Sequence, residues 1–224
     1  MSSQRERIQS LLSLAQHPNT PQAEAETALA MASKLMQKHG LSESDIAEVP
    51  DENVSIVSES VVVTGPYRVR RVNVLYVIAK MHSCASYRAH DSVDGCVLVV
   101  YGRQSDIFAT RTLFAAADAL GARLLPRGSR SWRVSWWSGF QSGIEESLSG
   151  ARKEFISETQ GAGLVLADRM KRAEDTMYVF APPLRGGTYY SDTSSGAHAS
   201  GKNAGRGFGA SGRSFTSGVR GELQ

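Results

Sequence analysis

The chain has 224 residues, of which 41% are hydrophobic and 21% charged, with a net charge of +3. Those values belong to a globular chain long enough to bury a core. They exclude a collagenous or low-complexity chain, and no apolar run approaches the ~18 residues that cross a membrane. The charge is unevenly spread. Residues 1–60 hold four basic and nine acidic residues, leaving 21 basic and 13 acidic for the rest. That asymmetry fits either a basic surface for an anionic partner or an acidic N-terminal unit docked on its own chain.

The first residues, "MSSQRERIQS", lack the apolar stretch of a secretory signal. The two cysteines are too few for a disulfide scaffold, so a cytoplasmic location is expected. Ile8, Leu11, Leu12 and Ala15 recur with helical spacing until "HPNTP" breaks the pattern. Thr20 and Pro21 then open a second helix, about 21–39, with Ala25, Ala28, Leu29, Ala32, Leu35 and Met36 on one stripe and Gly40 at its end. Residues 1–48 therefore read as a helical hairpin module.

An α+β domain over 53–180 is expected next, helix-rich with a small antiparallel sheet. Residues 53–63 alternate as a strand, and residues 67–82 recur as a helix through Val74, Leu75, Ile78 and Ala79. "SCASYRA" and "GCVLVVYG" flank a turn and read as a hairpin. Helices follow from Arg103 to Leu125 and over about 132–157 and 163–178. Residues 181–224 form a Gly/Ser/Arg-rich C-terminal segment, open to two readings. One is a loose basic tail, and the other a helix docked by a thin face of Ala197, Gly201, Ala204 and Gly205.

The order of segments resembles the domain of unknown function 2786 family. "RIQSLLSLAQHPNTPQAEAETALAMASKLMQKHGLSESDI" carries the likeness most specifically. "PYRVRRVNVLYVIAKMHSC", "VVYGRQSDIFATRTLF", "SRSWRVSWWSGF", "LVLADR" and the "GKNAGRGFGASG" tail extend it more loosely. Relatives of this kind occur in bacteria and phages. The resemblance supplies no agreed catalytic residues, so none is assigned.

Two nucleotide-binding patterns are coincidental. Gly196, Gly201 and Lys202 fit a phosphate loop, but Asn203 replaces its hydroxyl residue and no apolar strand precedes it. The G-x-G-x-x-G at Gly207–Gly212 lacks the βαβ unit around it. His82, Cys84, His90 and Cys96 have zinc-ligand chemistry, but a hairpin through "DSVDG" sets Cys84 too far from Cys96 for one metal or a disulfide. No metal, no cofactor and no catalytic residue is expected. Asp106, Glu145, Glu146, Asp168, Asp175 and His198 are candidates by residue type alone. Asp106 belongs in the first turn of its helix, and Glu145 and Glu146 on a solvated face.

The stretch "RGSRSWRVSWW" offers the chemistry of a single-strand binder, with arginines for phosphate and tryptophan for stacking. Trp136, Trp137, Phe140 and Ile144 also have the spacing of a core stripe. The residues expected to contact nucleic acid are Arg127, Arg130, Trp132, Arg133, Lys202 and Arg206, with Arg68, Arg70, Arg71 and Arg88 adding to the field. The expected function is non-enzymatic contact with nucleic acid, or with a protein that processes it, through the basic C-terminal portion. The alternatives are an adaptor docking through the N-terminal hairpin and a hydrolase whose site is dispersed in sequence.

Overall fold

The computed structural model describes residues 55–89, 95–158, 162–184 and 194–209, together with 15 positions between Arg7 and Leu35. In that first segment, Arg7, Ile8, Ser10, Leu11, Leu14 and Ala15 are helical, as are Glu24, Thr27, Ala28, Met31, Ala32 and Leu35. Thr20 lies between the two groups, its N–H donating to the His17 carbonyl at 3.1 Å. Ile8, Ala15, Ala28 and Ala32 are buried in the same core as the rest of the chain. The described part of the N-terminal unit thus packs on its own chain, with Ile8, Ala15, Ala28 and Ala32 inward.

The remaining elements are β1 (Val57–Thr64), α1 (Arg68–Met81), β2 (Ala85–Arg88), β3 (Gly95–Gly102), α2 (Gln104–Leu124), α3 (Arg130–Glu158), α4 (Ala162–Phe180) and α5 (Ser195–Arg206), followed by a 3-10 turn at Gly207–Gly209. The molecule is mostly helical with a three-stranded antiparallel sheet of order β1-β3-β2. β1 pairs with β3 along its whole length, Val57 opposite Gly102 and Thr64 opposite Gly95. β2 takes the other edge of β3, with Ala85 opposite Tyr101.

Strand alternation sorts the sheet into two faces. Val63, Cys96, Leu98 and Val100 join the main core with α1, α2 and α3. Ala85 and Tyr101 face Ala173 and Met177 of α4 instead. α1 is apolar on most sides, with Val72, Val74, Leu75, Val77, Ile78 and Ala79 all buried. α2 buries Ile107, Leu113, Phe114, Ala117 and Leu120 at helical spacing.

α3 supplies the aromatic centre. Trp136 stacks on Phe140 at 5.2 Å between ring centroids, and Trp137 meets both rings edge-on at 5.5 Å. Both tryptophans are core residues. Gly121 of α2 makes room for them, since a Cβ there would lie 2.7 Å from Trp137 Cζ3.

The C-terminal helix α5 is docked, the second of the two readings of that segment. Ala197, Gly201 and Gly205 are its buried residues; Ala204 is half-buried at the edge of the contact. Gly201 and Gly205 meet the α3 backbone at Trp136–Phe140 and Phe140–Ile144, while Gly139 and Gly143 meet the α5 backbone. Residue numbers rise together along the two helices, so they run parallel. Phe208, just beyond α5, is fully buried in the core.

Candidate functional site

The six residues expected to face nucleic acid fall into two groups. Arg127, Arg130, Trp132 and Arg133 gather at the start of α3. Ser129 caps that helix, its Oγ accepting the Trp132 N–H at 3.2 Å. Arg133 Nε donates to the Pro126 carbonyl at 3.0 Å and so fixes the loop to the helix. Trp132 is half-buried and packs against the core. Its ring also lies over Gly128, where a Cβ would come within 3.3 Å of it.

Arg127 and Arg130 are exposed and have no carboxylate partner among the described residues. The first turn of α3 contains no acidic residue. A helix N-terminus carries a partial positive charge that acidic residues ordinarily offset. Here Arg130 stands in the first turn and Arg127 just before it, both exposed.

Lys202 and Arg206 lie elsewhere, on α5. Both engage Glu146 of α3: Lys202 Nζ at 3.2 Å from Oε2, Arg206 Nε at 3.0 Å from Oε2, and Arg206 Nη2 at 3.1 Å from Oε1. The two cations hold the Glu146 carboxyl below its usual range. Glu146 therefore does more than solvate a helix face. It follows Arg130 by 16 residues, ~24 Å along α3 and on nearly the opposite side of it.

Two of the other arginines named from sequence, Arg70 and Arg71, have structural engagements. Arg71 grips Asp118 of α2 through two parallel bonds, Nε to Oδ1 at 2.6 Å and Nη2 to Oδ2. It also donates to the Thr64 carbonyl at 2.6 Å, tying down the turn after β1. Arg70 Nη1 donates to Ser138 Oγ at 3.4 Å.

A buried polar cluster escaped sequence reasoning. It forms where the end of α1, the start of α2, the last third of α3 and the first half of α4 meet. Arg152 donates to the Met81 carbonyl and to Ser83 Oγ at 3.1 Å, and Ser83 Oγ donates to the Leu166 carbonyl at 3.1 Å. Arg152 thereby caps the C-terminal end of α1. Arg169, buried in α4, stands 3.6 Å from Asp106 in the first turn of α2. Burial and the nearby Arg152 charge depress the His82 imidazole to about 4. Burial, with the Asp106 charge, pushes the Cys84 thiol up to about 12. The sequence names Asp106, His82 and Cys84 of this cluster by residue type, but not Arg152 and Arg169, because arginines read as surface residues in a sequence.

The supposed zinc ligands do not gather. Both cysteines are buried, and neither is in a disulfide. The β2–β3 register sets Cys84 opposite Gly102, six positions from Cys96 along β3, about 20 Å at the rise of a strand. His90 lies outside the described residues. No group of three His, Cys, Asp or Glu with metal-binding geometry occurs among the described residues. Asp168 and Asp175 pair with Arg172 and Lys171 on their own helix. Gly196, Gly201 and Lys202 sit within α5 and are helical throughout, so the phosphate-loop pattern forms no loop. No helix among the described residues is long and apolar enough to cross a membrane.

Fold and site together define a helix-rich α+β protein with an arginine-lined helix start and a glycine-docked C-terminal helix. Residues 5–43 match the family model described as "Protein of unknown function (DUF2786)". The match covers the N-terminal module alone. No curated protein and no solved structure matched the chain.

Proposed function

We propose that this protein binds the phosphate backbone of nucleic acid at the start of α3, in a cytoplasmic, non-enzymatic role. One observation carries the reading: Arg127 and Arg130 are exposed beside a capped helix N-terminus that has no acidic residue in its first turn. Backbone N–H groups at a helix start and guanidinium groups both favour phosphate. Trp132 and Arg133 serve chiefly to hold the loop, with the exposed part of the indole left for a base. Arginines that address phosphate position a strand without reading its sequence, so binding tolerant of base composition is expected.

The adaptor reading has less support, because Ala28 and Ala32 of the N-terminal stripe are spent in the chain's own core. Fluorescence anisotropy with labelled single- and double-stranded DNA tests the proposal. Affinity should fall linearly in log salt, with a slope of roughly −0.7 to −0.9 per phosphate contact. Arg127→Glu with Arg130→Glu should abolish binding while leaving the thermal transition in place. Absence of binding at low salt, or indifference to both substitutions, would overturn it.

A further inference from the structure

We infer that Lys202 and Arg206 form an anion clamp that Glu146 fills in the free protein and that a nucleic-acid phosphate takes over on binding. The inference rests on the backbone-binding reading and adds to it a second contact point with an internal competitor. Arg206 offers Nε and Nη2 side by side to the two oxygens of Glu146, and Lys202 Nζ reaches one of the same oxygens. A guanidinium takes a carboxylate or a phosphate by this same fork. The Glu146 carboxylate therefore occupies the place of two phosphate oxygens.

Three further observations favour exchange. One negative charge faces two positive ones, so the clamp keeps a residual positive charge. The side chains of Lys202, Arg206 and Glu146 are 35%, 49% and 50% exposed, and ion pairs in that setting are weak and screened by salt. The clamp is also stiff. Gly139, Gly143, Gly201 and Gly205 fix α5 on α3 backbone to backbone, so the two cations stay one helical turn apart when the carboxylate leaves. A phosphate then gains a preorganised site without ordering any chain.

The test measures anisotropy of a labelled single-stranded oligonucleotide with the full chain and with Glu146→Gln. The expected result is binding several-fold tighter at low salt, with a log–log salt slope steeper by roughly 0.7 to 1.4, the value for one or two added contacts to a single strand. Adding Lys202→Ala and Arg206→Ala to Glu146→Gln should erase the gain. Unchanged affinity and slope in Glu146→Gln, or a gain that survives loss of both cations, would overturn the clamp.

The Arg127→Glu/Arg130→Glu protein separates the two proposals. Loss of binding there, with Glu146→Gln inert, removes the clamp and keeps the α3 interface. A Glu146→Gln gain, with Arg127→Glu/Arg130→Glu indifferent, keeps the clamp and removes the interface. If Glu146→Gln loses its cooperative melt, the Arg206 Nε–H resonance of the unsubstituted protein is followed during oligonucleotide titration. A shift that saturates with binding supports the clamp, and a resonance unmoved at saturation overturns it.

Discussion

Gly201 of α5 lies directly on the Trp136 carbonyl of α3: a Cβ at this glycine would overlap that oxygen and come within 2.9 Å of the Phe140 nitrogen. The same holds at Gly205, where a Cβ would stand 2.8 Å from the Ile144 nitrogen. These are backbone atoms, which cannot swing aside as a side chain can. Close approach of this kind also brings Cα–H groups of one helix onto carbonyls of the other.

Gly201→Ala should therefore destabilise the protein by about 2–3 kcal/mol or more, despite the better helix propensity of alanine. Gly150→Ala in α3 is the control. Nothing lies within 4 Å of a Cβ there, so a gain of roughly 0.5–1 kcal/mol is expected. Thermal melts of the two variants should move in opposite directions. Equal shifts would mean that α5 does not pack in this way.

His82 makes folding sensitive to mild acid. Its imidazole falls from the ordinary 6.5 to about 4 when the chain folds. Between those values the unfolded chain binds a proton that the native state refuses, so stability rises with pH across the window and is lost on acidification. The gap corresponds to about 3 kcal/mol. Denaturant unfolding between pH 7 and pH 4 should show this loss, and His82→Asn should remove that part of it. Parallel pH profiles for the two proteins would refute the assignment.

The thiols should be silent in the native state. Cys84 and Cys96 are both buried, and at about 12 the Cys84 thiol holds almost no thiolate near neutrality. A thiol reagent should count none in buffer and two in denaturant. Rapid labelling of the folded protein would contradict the burial.

Asp106 should matter for stability more than its place in a first turn implies. Asp106→Asn removes the carboxylate beside the buried Arg169 guanidinium, a change that typically costs about 3–5 kcal/mol. Replacing Arg169 by Met in the same protein should recover part of that loss. A double variant worse than the sum of the two would show that the residues do not act as a pair.

Periodic elements were legible from sequence because helix and strand patterns report burial directly. The wide separation of Cys84 from Cys96 was legible from strand geometry. The thin face of Ala197, Gly201 and Gly205 was legible as well, and Gly139-x-x-x-Gly143 on α3 was the matching signal that went unread. Glu146 read as a solvated residue because its partners arrive only once α5 has docked. Arg152 and Arg169 were illegible for a different reason. Long charged side chains look alike in a sequence, whether their heads reach water or a buried carbonyl. Spacing along the chain could not divide the six expected contact residues into two groups around α3.

Phe208 bears on how the protein comes into being. The side chain that seals the core stands beyond the last described helix, while its neighbours Trp136, Trp137 and Phe140 belong to α3. A ribosome must have released residue 208 from its exit tunnel before this core can close. Until then the aromatic cluster and the bare glycine face of α3 stay open on the nascent chain, so the final structure forms after translation of that segment rather than element by element during it.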